Sequence, residues 1–205
     1  TGLSGGPAVR DEHKPPFMGI DFGTTNTVVS LCNDAGTTRT LVYPSAQGPQ
    51  STFRSILCYV SEDGDGLHAQ TQVYCGPAAI DAFLHFGEDA RLIQSVKTFL
   101  SSKTFSKSAI HGREYTLEQI VADFLGGLLR AAEWPPEHGG AMPALAGNVT
   151  VGRPVKFAGG GSSEEDAIAV KRLRGAFAAA GFSNIDLGLE PEAAAYFFAR
   201  RLREP

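Results

Sequence analysis

Residues 17–32, FMGIDFGTTNTVVSLC, decide the fold that we predict for this chain. Two runs within this stretch, residues 17–22 and 27–32, are rich in the apolar and β-branched side chains that favour strands. The four residues between them, GTTN, are turn-forming. The stretch therefore predicts a β-hairpin, and residues 38–43 extend it with a third antiparallel strand.

The next segment, residues 44–115, has a mixed pattern. Residues 53–60 form a strand-like apolar run, and a further extended stretch lies near residues 72–75. Helical segments are expected near residues 78–86 and 90–100. This mixture predicts an inserted α/β subdomain.

The second half of the chain alternates helices with strands. The clearest helix follows Thr116, where apolar residues recur at helical spacing and Thr116 with Gln119 forms a capping box. Ser162 with Glu165 forms a second capping box. The remaining predicted elements are strands at 148–152 and 185–189 and a final helix over 191–202.

The element order is β-β-β-α-β-α-β-α, interrupted by the insert. It predicts an α/β fold with a mixed five-stranded sheet. The core of this lobe comprises residues 17–43 and 116–205, and the insert comprises residues 44–115. Residues 1–16 are rich in Gly, Pro and charge, which predicts a flexible arm.

Charge and composition exclude several classes of function. The net charge is −4 and the pI about 5.7, the wrong sign for a protein that binds nucleic acid through its phosphates. No apolar run is long enough to span a bilayer, so no membrane partner is expected. The three Cys and five His residues lack metal-ligand spacing. We expect a soluble, cytoplasmic protein.

The hairpin turn carries the most informative chemistry. Gly23 lets a bulky anion approach the backbone, and Thr24 and Thr25 add hydroxyl donors to the amides of the turn. Asp21 would repel a phosphate directly, so a hydrated cation, most simply Mg²⁺, is expected between them. The spacing alone is equally compatible with a Gly-Thr hairpin that binds nothing.

Residues 19–27 (GIDFGTTNT) resemble the first phosphate loop of the actin-like ATPase superfamily, and most closely that of the seventy-kilodalton heat-shock (DnaK-like) chaperones. Residues 190–195 (EPEAAA) resemble the E-P-x-A-A-A segment of that family. Lys97, within residues 93–100, matches its catalytic lysine. Residues 53–60 resemble the strand after its arginine-threonine-proline turn. The resemblance implies a ribonuclease-H-like first lobe.

Two departures from the common pattern are similar to the divergent YegD-like branch of the family. Asn26 stands where these chaperones usually carry an aromatic residue. Residues 151–155, VGRPV, replace their threonine-valine-proline strand end, although Pro154 is retained.

The resemblance implies ATP and Mg²⁺ as cofactors and a nucleotide-binding turn made of Gly23, Thr24, Thr25 and Asn26. Thr24 and Thr25 would hold the β- and γ-phosphates. Asp21 would coordinate the metal through water.

Two further residues would act on the reaction itself. Lys97 would supply positive charge where negative charge develops on the transferring phosphoryl group. Glu190 would orient a water bound to the metal. The alternatives are a solvated helix lysine for Lys97 and a carboxylate stabilised by the helix dipole for Glu190.

The resemblance also implies coupling between domains through Arg174 and Pro154, although a charged surface residue is an equally good interpretation of Arg174. The superfamily binds nucleotide between two lobes, and no second phosphate segment occurs in these 205 residues. We therefore expect a fragment that pairs with a second lobe. A peptide-binding domain, client polypeptides and exchange factors would complete a chaperone that couples ATP hydrolysis to peptide binding and release.

Two other functions share parts of these motifs. A sugar or acetate kinase of the same superfamily shares the D-x-G-T-T hairpin, but needs an acidic base that no segment suggests. A filament-forming actin-like protein shares the E-P-x-A-A-A segment. Both alternatives remain open at this point.

Overall fold

A computed structural model describes residues 17–33, 35–61, 71–135, 148–159 and 161–202. The predicted arm, residues 1–16, lies outside the described residues. In the described part, no helix is both long and apolar enough to cross a membrane.

The main sheet is built around the predicted hairpin. Its strands run in the spatial order β11-β10-β1-β2-β3, and the short strand β4 pairs with β2 at the end of the hairpin. Their bounds are β1 Phe17–Phe22, β2 Asn26–Cys32, β3 Thr38–Thr40, β4 Phe53–Arg54, β10 Asn148–Arg153 and β11 Asn184–Leu189.

Strand direction divides this sheet into two parts. Strands β1, β2 and β3 are antiparallel, whereas β10 and β11 run parallel to β1. The prediction of an α/β fold with a mixed sheet is therefore confirmed. The sheet has six strands, one more than predicted. The additional strand is β4, because residues 53–60 bend at Ser55 and only their first part joins this sheet.

The core lies on one face of the sheet. Alternate residues of β1 and β10, among them Ile20 and Val151, point into it and are almost fully buried. Helices α2 (Leu117–Ala131) and α3 (Ser163–Ala179) bury their apolar stripes against this face. Both predicted capping boxes are present at their starts, where they satisfy amides that the helix leaves unbonded.

Helix α4, Glu190–Arg201, lies on the opposite face. None of its residues is buried, and its large apolar side chains are 62–72% exposed. These side chains are Tyr196, Phe197 and Phe198 of the helix and Leu202, which directly follows it.

The segment predicted as an insert contains a second sheet with the order β6-β5-β7. Its strands are β5 Ile56–Ser61, β6 Thr71–Cys75 and β7 Ala90–Gln94, and helix α1, Pro77–Phe86, packs on it. A hairpin of β8 (Lys107–Ile110) and β9 (Arg113–Thr116), which the sequence pattern did not predict, leads into α2.

The helix predicted near residues 90–100 is wrong. Residues Ala90–Gln94 pair with β5 as a strand, and only Val96–Phe99 are helical, as a short 3-10 helix. The β-sheet pairing of Leu92 and Ile93 outweighs a local pattern that is compatible with either structure.

Candidate functional site

Three charged residues that are distant in the sequence converge beside the hairpin turn. The Lys97 ammonium donates a hydrogen bond to Glu190 Oε1 at 2.6 Å. Asp21 is close enough to both that their charges act on its carboxyl group. The structure thus brings together Asp21, Lys97 and Glu190, the three residues predicted to act in catalysis.

The topology explains this convergence. Asp21 lies near the carboxyl end of β1, and Glu190 directly follows β11, which runs parallel to β1 through β10. The carboxyl ends of parallel strands meet at one edge of a sheet, which is a common position for ligand sites in α/β proteins. Glu190 is also the first residue of α4. Its position therefore fits a carboxylate stabilised by the helix dipole as well as one that orients a water.

Lys97 reaches the same edge from a different layer. It lies in the 3-10 helix that follows β7, and Ser95 between the two has a left-handed φ of 57°. The Arg172 guanidinium, on α3, donates to the carbonyl oxygens of Leu100 and Ser102 at 3.0 and 2.7 Å and so fixes the chain that follows Lys97. Sequence reasoning missed Arg172, because no local motif marks such a contact.

The two members of the ion pair differ in burial. The Lys97 side chain is 9% exposed, whereas that of Glu190 is 35% exposed. Lys97 is therefore not the solvated helix lysine that the sequence allowed. A buried ammonium needs a partner, because loss of hydration would otherwise disfavour its charge.

Asp21 is held in an unfavourable electrostatic environment. Burial raises the pKa of Asp21 above its ordinary value of 3.8, and the neighbouring Glu190 carboxylate raises this pKa further. The Lys97 ammonium lowers it in part. The site therefore holds two carboxylates against one ammonium, an imbalance that a cation would relieve.

Gly152, on β10, separates these two carboxylates. A Cβ atom there would lie 3.4 Å from Glu190 Cγ and 3.6 Å from Asp21 Oδ1. An alanine here would thus be in ordinary van der Waals contact with both acids. Sequence reasoning noted VGRPV only as a departure from a family pattern, although a glycine inside a strand is itself a signal of close approach.

The turn between β1 and β2 has the shape of an open cradle. Thr24, Thr25 and Asn26 are exposed, and Gly23 is half-buried. A Cβ atom on Gly23 would lie 2.2 Å from the backbone oxygen of Asn26, so only glycine fits. Within the described ranges, no hydrogen bond to the hydroxyl of Thr24 or Thr25 is formed. Both hydroxyls can therefore face a ligand.

The residues present fit a hydrated Mg²⁺ better than a directly coordinated metal. Among the described residues, no group of three or more His, Cys, Asp or Glu side chains could hold a metal ion. Mg²⁺ usually keeps several waters and uses only one or two carboxylates together with substrate phosphates. Asp21 and Glu190 could supply those carboxylates.

The two residues predicted to couple domains take no part in the Lys97–Glu190 ion pair. The Arg174 guanidinium donates to the carbonyl oxygen of Ile185 on β11. Pro154 follows β10, and its carbonyl oxygen accepts a hydrogen bond of 3.0 Å from Arg153. The Arg153 side chain also pairs with Asp166 at 3.1 Å. Roles for Arg174 and Pro154 in coupling stay predictions.

A largely apolar groove of about 390 Å³ adjoins the acids on the open face of the sheet. The sheet residues Gly19, Val28 and Thr150 form its floor, and Ala193 and Phe197 of α4 form its wall. Asp21 and Glu190 also line this groove. The charged site is therefore continuous with an uncovered apolar surface.

The electrostatics of Asp21 predict that Asp21→Asn stabilises the protein in the absence of ligand. The neutral amide removes both the burial cost and the repulsion from Glu190 that raise the pKa of Asp21. The gain should be fully present above this raised pKa and should disappear as the pH falls towards 3.8, where the wild-type carboxyl group is itself neutral. Thermal unfolding between about pH 8 and about pH 4 measures the effect.

Asp186→Asn is the matched control for this prediction, because Asp186 is, like Asp21, an exposed acid on the same face of the sheet but lies four residues before Glu190 on β11. Its midpoint of unfolding should change little. An Asp21→Asn variant that is less stable than wild type near neutral pH would contradict the proposed environment.

A scan against protein-family models finds no match to this chain. A search of curated proteins likewise finds no significant match. Functional proposals for the chain therefore rest on its own residues and their geometry.

Proposed function

We propose that this chain is the ATP-binding first lobe of a heat-shock-type molecular chaperone, of the DnaK-like family and its divergent YegD-like branch. The whole protein would couple ATP hydrolysis to the binding and release of polypeptides. The isolated chain would bind nucleotide weakly, because the other half of the nucleotide site would come from a second lobe.

One observation carries the proposal, which is the meeting of Asp21, Lys97 and Glu190 next to the hairpin turn. These residues come from three separate stretches of sequence, each of which resembles a segment of that family. The 2.6 Å contact between Lys97 and Glu190 and the electrostatic coupling of both to Asp21 support one shared site.

The element order gives independent support. With residues 44–115 set aside, the described elements follow the order β-β-β-α-β-α-β-α. This is the order expected of a ribonuclease-H-like lobe of the actin-like ATPase superfamily. The exposed aromatic side chains of α4 also suit a lobe that contacts further protein.

In the proposed reaction, the amides and hydroxyls of Thr24 and Thr25 bind the β- and γ-phosphates. Lys97 neutralises the negative charge that builds as the terminal phosphoryl group transfers to water. Glu190 accepts a hydrogen bond from the attacking water and aligns it. Mg²⁺, when bound, would supply charge neutralisation of the phosphates, and Asp21 would hold it through water.

The proposed partners follow from the chaperone assignment. They are a second lobe, a peptide-binding domain, client polypeptides and exchange factors. The net charge of −4 argues against nucleic acid as a partner. We also propose a cytoplasmic location, with which the free thiols of Cys32, Cys58 and Cys75 are compatible.

Calorimetric titration with MgATP tests the proposal. The full-length protein should bind MgATP and hydrolyse it slowly, and an unfolded client polypeptide should alter the rate. The 205-residue chain alone should bind MgATP at least about 100-fold more weakly. The reason is that the second lobe would contact the base and supply half of the donors to the phosphates. A full-length protein that neither binds nor hydrolyses MgATP would overturn the proposal. Equal MgATP affinity of the full-length protein and the 205-residue chain would overturn the proposal that a second lobe completes the nucleotide site.

A further inference from the structure

A pair of buried hydroxyl groups lies directly beneath the hairpin turn. Thr27 Oγ1 and Ser55 Oγ are 2.9 Å apart, and the two residues are 0% and 2% exposed. Neither residue belongs to the site described above. A buried hydroxyl that loses its partner is costly, so each of the two holds the other in place.

The same segment also holds the turn through its backbone. The Ser55 amide donates to the carbonyl oxygen of Thr25 at 2.8 Å. Strand β4 pairs Arg54 with Asn26 and Phe53 with Thr27. Contacts from residues 53–55 therefore bracket the turn from Thr25 to Thr27.

Phe53 fixes this segment to the rest of the core. Phe53 is 3% exposed. The centroid of its ring lies 4.8 Å from the ring centroid of Tyr43 and 6.0 Å from that of Phe124. The segment is thus a rigid support rather than a mobile loop, because its anchor is closely packed on several sides.

The turn needs such a support. Its two threonines are exposed, and Gly23 contributes no side chain that could fix the backbone. Phosphate-binding amides act only if they converge before the ligand arrives, since ordering them on binding would cost affinity.

We propose that Ser55 and Thr27 are positioning residues, which set the conformation of the phosphate-binding turn without touching the nucleotide. This inference rests on the proposed function. It predicts a specific pattern: loss of the Thr27–Ser55 hydroxyl pair weakens the binding of nucleotides that reach the turn and leaves the chemical step largely unchanged.

The variants are Ser55→Ala and Thr27→Val in the full-length protein. Each should weaken MgATP and MgADP binding by about tenfold and change AMP binding by less than about twofold, because AMP lacks the phosphates that reach the turn. At saturating MgATP, kcat should stay within about threefold of wild type, since Lys97 and Glu190 are untouched. Ser55→Thr, which keeps the hydroxyl, should restore most of the affinity.

Ser30→Ala is the matched control. Ser30 Oγ lies 3.2 Å from Thr40 Oγ1, so it also forms a hydroxyl pair between β2 and a neighbouring strand, but it is only half-buried and lies away from the turn. This variant should bind all three nucleotides as wild type does. Two outcomes would show that the inference is wrong, provided that the wild-type protein binds MgATP. In the first, Ser55→Ala and Thr27→Val have the MgATP affinity of wild type. In the second, they weaken AMP binding as much as MgATP binding.

Hydrogen exchange separates this inference from the proposed function. In the 205-residue chain without nucleotide, the amides of residues 23–27 should exchange at least about fivefold faster in Ser55→Ala than in wild type. Unchanged exchange overturns the positioning role. Failure of the wild-type full-length protein to bind MgATP would instead overturn the proposed function, whatever the exchange rates are.

Discussion

Replacing Lys97 with methionine is expected to lower kcat for ATP hydrolysis by at least about 100-fold in the full-length protein. The ammonium would act mainly on charge that appears in the transition state, so MgATP affinity should change by less than about fivefold. Steady-state hydrolysis together with calorimetric titration measures both quantities. An unchanged kcat would remove Lys97 from the mechanism.

Lys103→Met is the matched control for this variant. Lys103 forms an ion pair of the same length, 2.6 Å to Glu164, only six residues further along the chain. Its side chain is 44% exposed, and exposed pairs contribute little to stability or function. Hydrolysis by this control should match that of wild type.

The unequal burial of the Lys97–Glu190 pair predicts an unequal effect on folding. Glu190→Gln removes the carboxylate that is hydrogen-bonded to a buried ammonium and leaves only Asp21 near it, which should lower the free energy of unfolding by about 1–3 kcal/mol. Lys97→Met leaves two acids, Asp21 and Glu190, that water already reaches, so its cost should stay below about 1 kcal/mol. Denaturant unfolding of the two variants compares them, and the reverse ranking would contradict the geometry.

Gly23→Ala is expected to be the most damaging change in the turn. The new Cβ atom would meet the backbone oxygen of Asn26 at 2.2 Å, and neither group can move without opening the hairpin. We expect a loss of about 2–3 kcal/mol in the free energy of unfolding and at least about 100-fold in MgATP affinity. Unfolding of the 205-residue chain and titration of the full-length protein measure these effects.

Gly19→Ala provides the comparison within the same stretch. Its new Cβ atom would lie 4.0 Å from the nearest backbone oxygen, that of Ser30, which is an ordinary contact. The change in unfolding free energy should be within about 0.5 kcal/mol. A Gly23→Ala variant as stable as Gly19→Ala would show that the turn adopts another conformation.

The sequence predicted the parts of the fold that local chemistry determines. The capping boxes at Thr116 and Ser162 mark helix starts through contacts only three residues apart, and both are present. The hairpin of β1 and β2 is likewise a local structure, in which two apolar runs flank a turn sequence.

Prediction failed where distant pairing decides the structure. Residues Ala90–Gln94 are a strand because β5 is available to pair with them, and the bend at Ser55 exists because β4 pairs with β2 while β5 joins another sheet. No local pattern contains that information.

The candidate site shows the same division. The resemblance to a family predicts Asp21, Lys97 and Glu190, and the structure adds the burial of Lys97 and the position of Gly152 beside both acids. Ser55 and Arg172 act through tertiary contacts alone, so only the folded structure reveals them.

The most direct test of the central claim is a crystal structure of the full-length protein with Mg²⁺ and a non-hydrolysable ATP analogue. The account predicts that the phosphate chain contacts the amides and hydroxyls of Thr24 and Thr25, with Lys97 and Glu190 beside the terminal phosphate and Asp21 reaching the metal through water. A nucleotide bound elsewhere, with an empty turn, would contradict it.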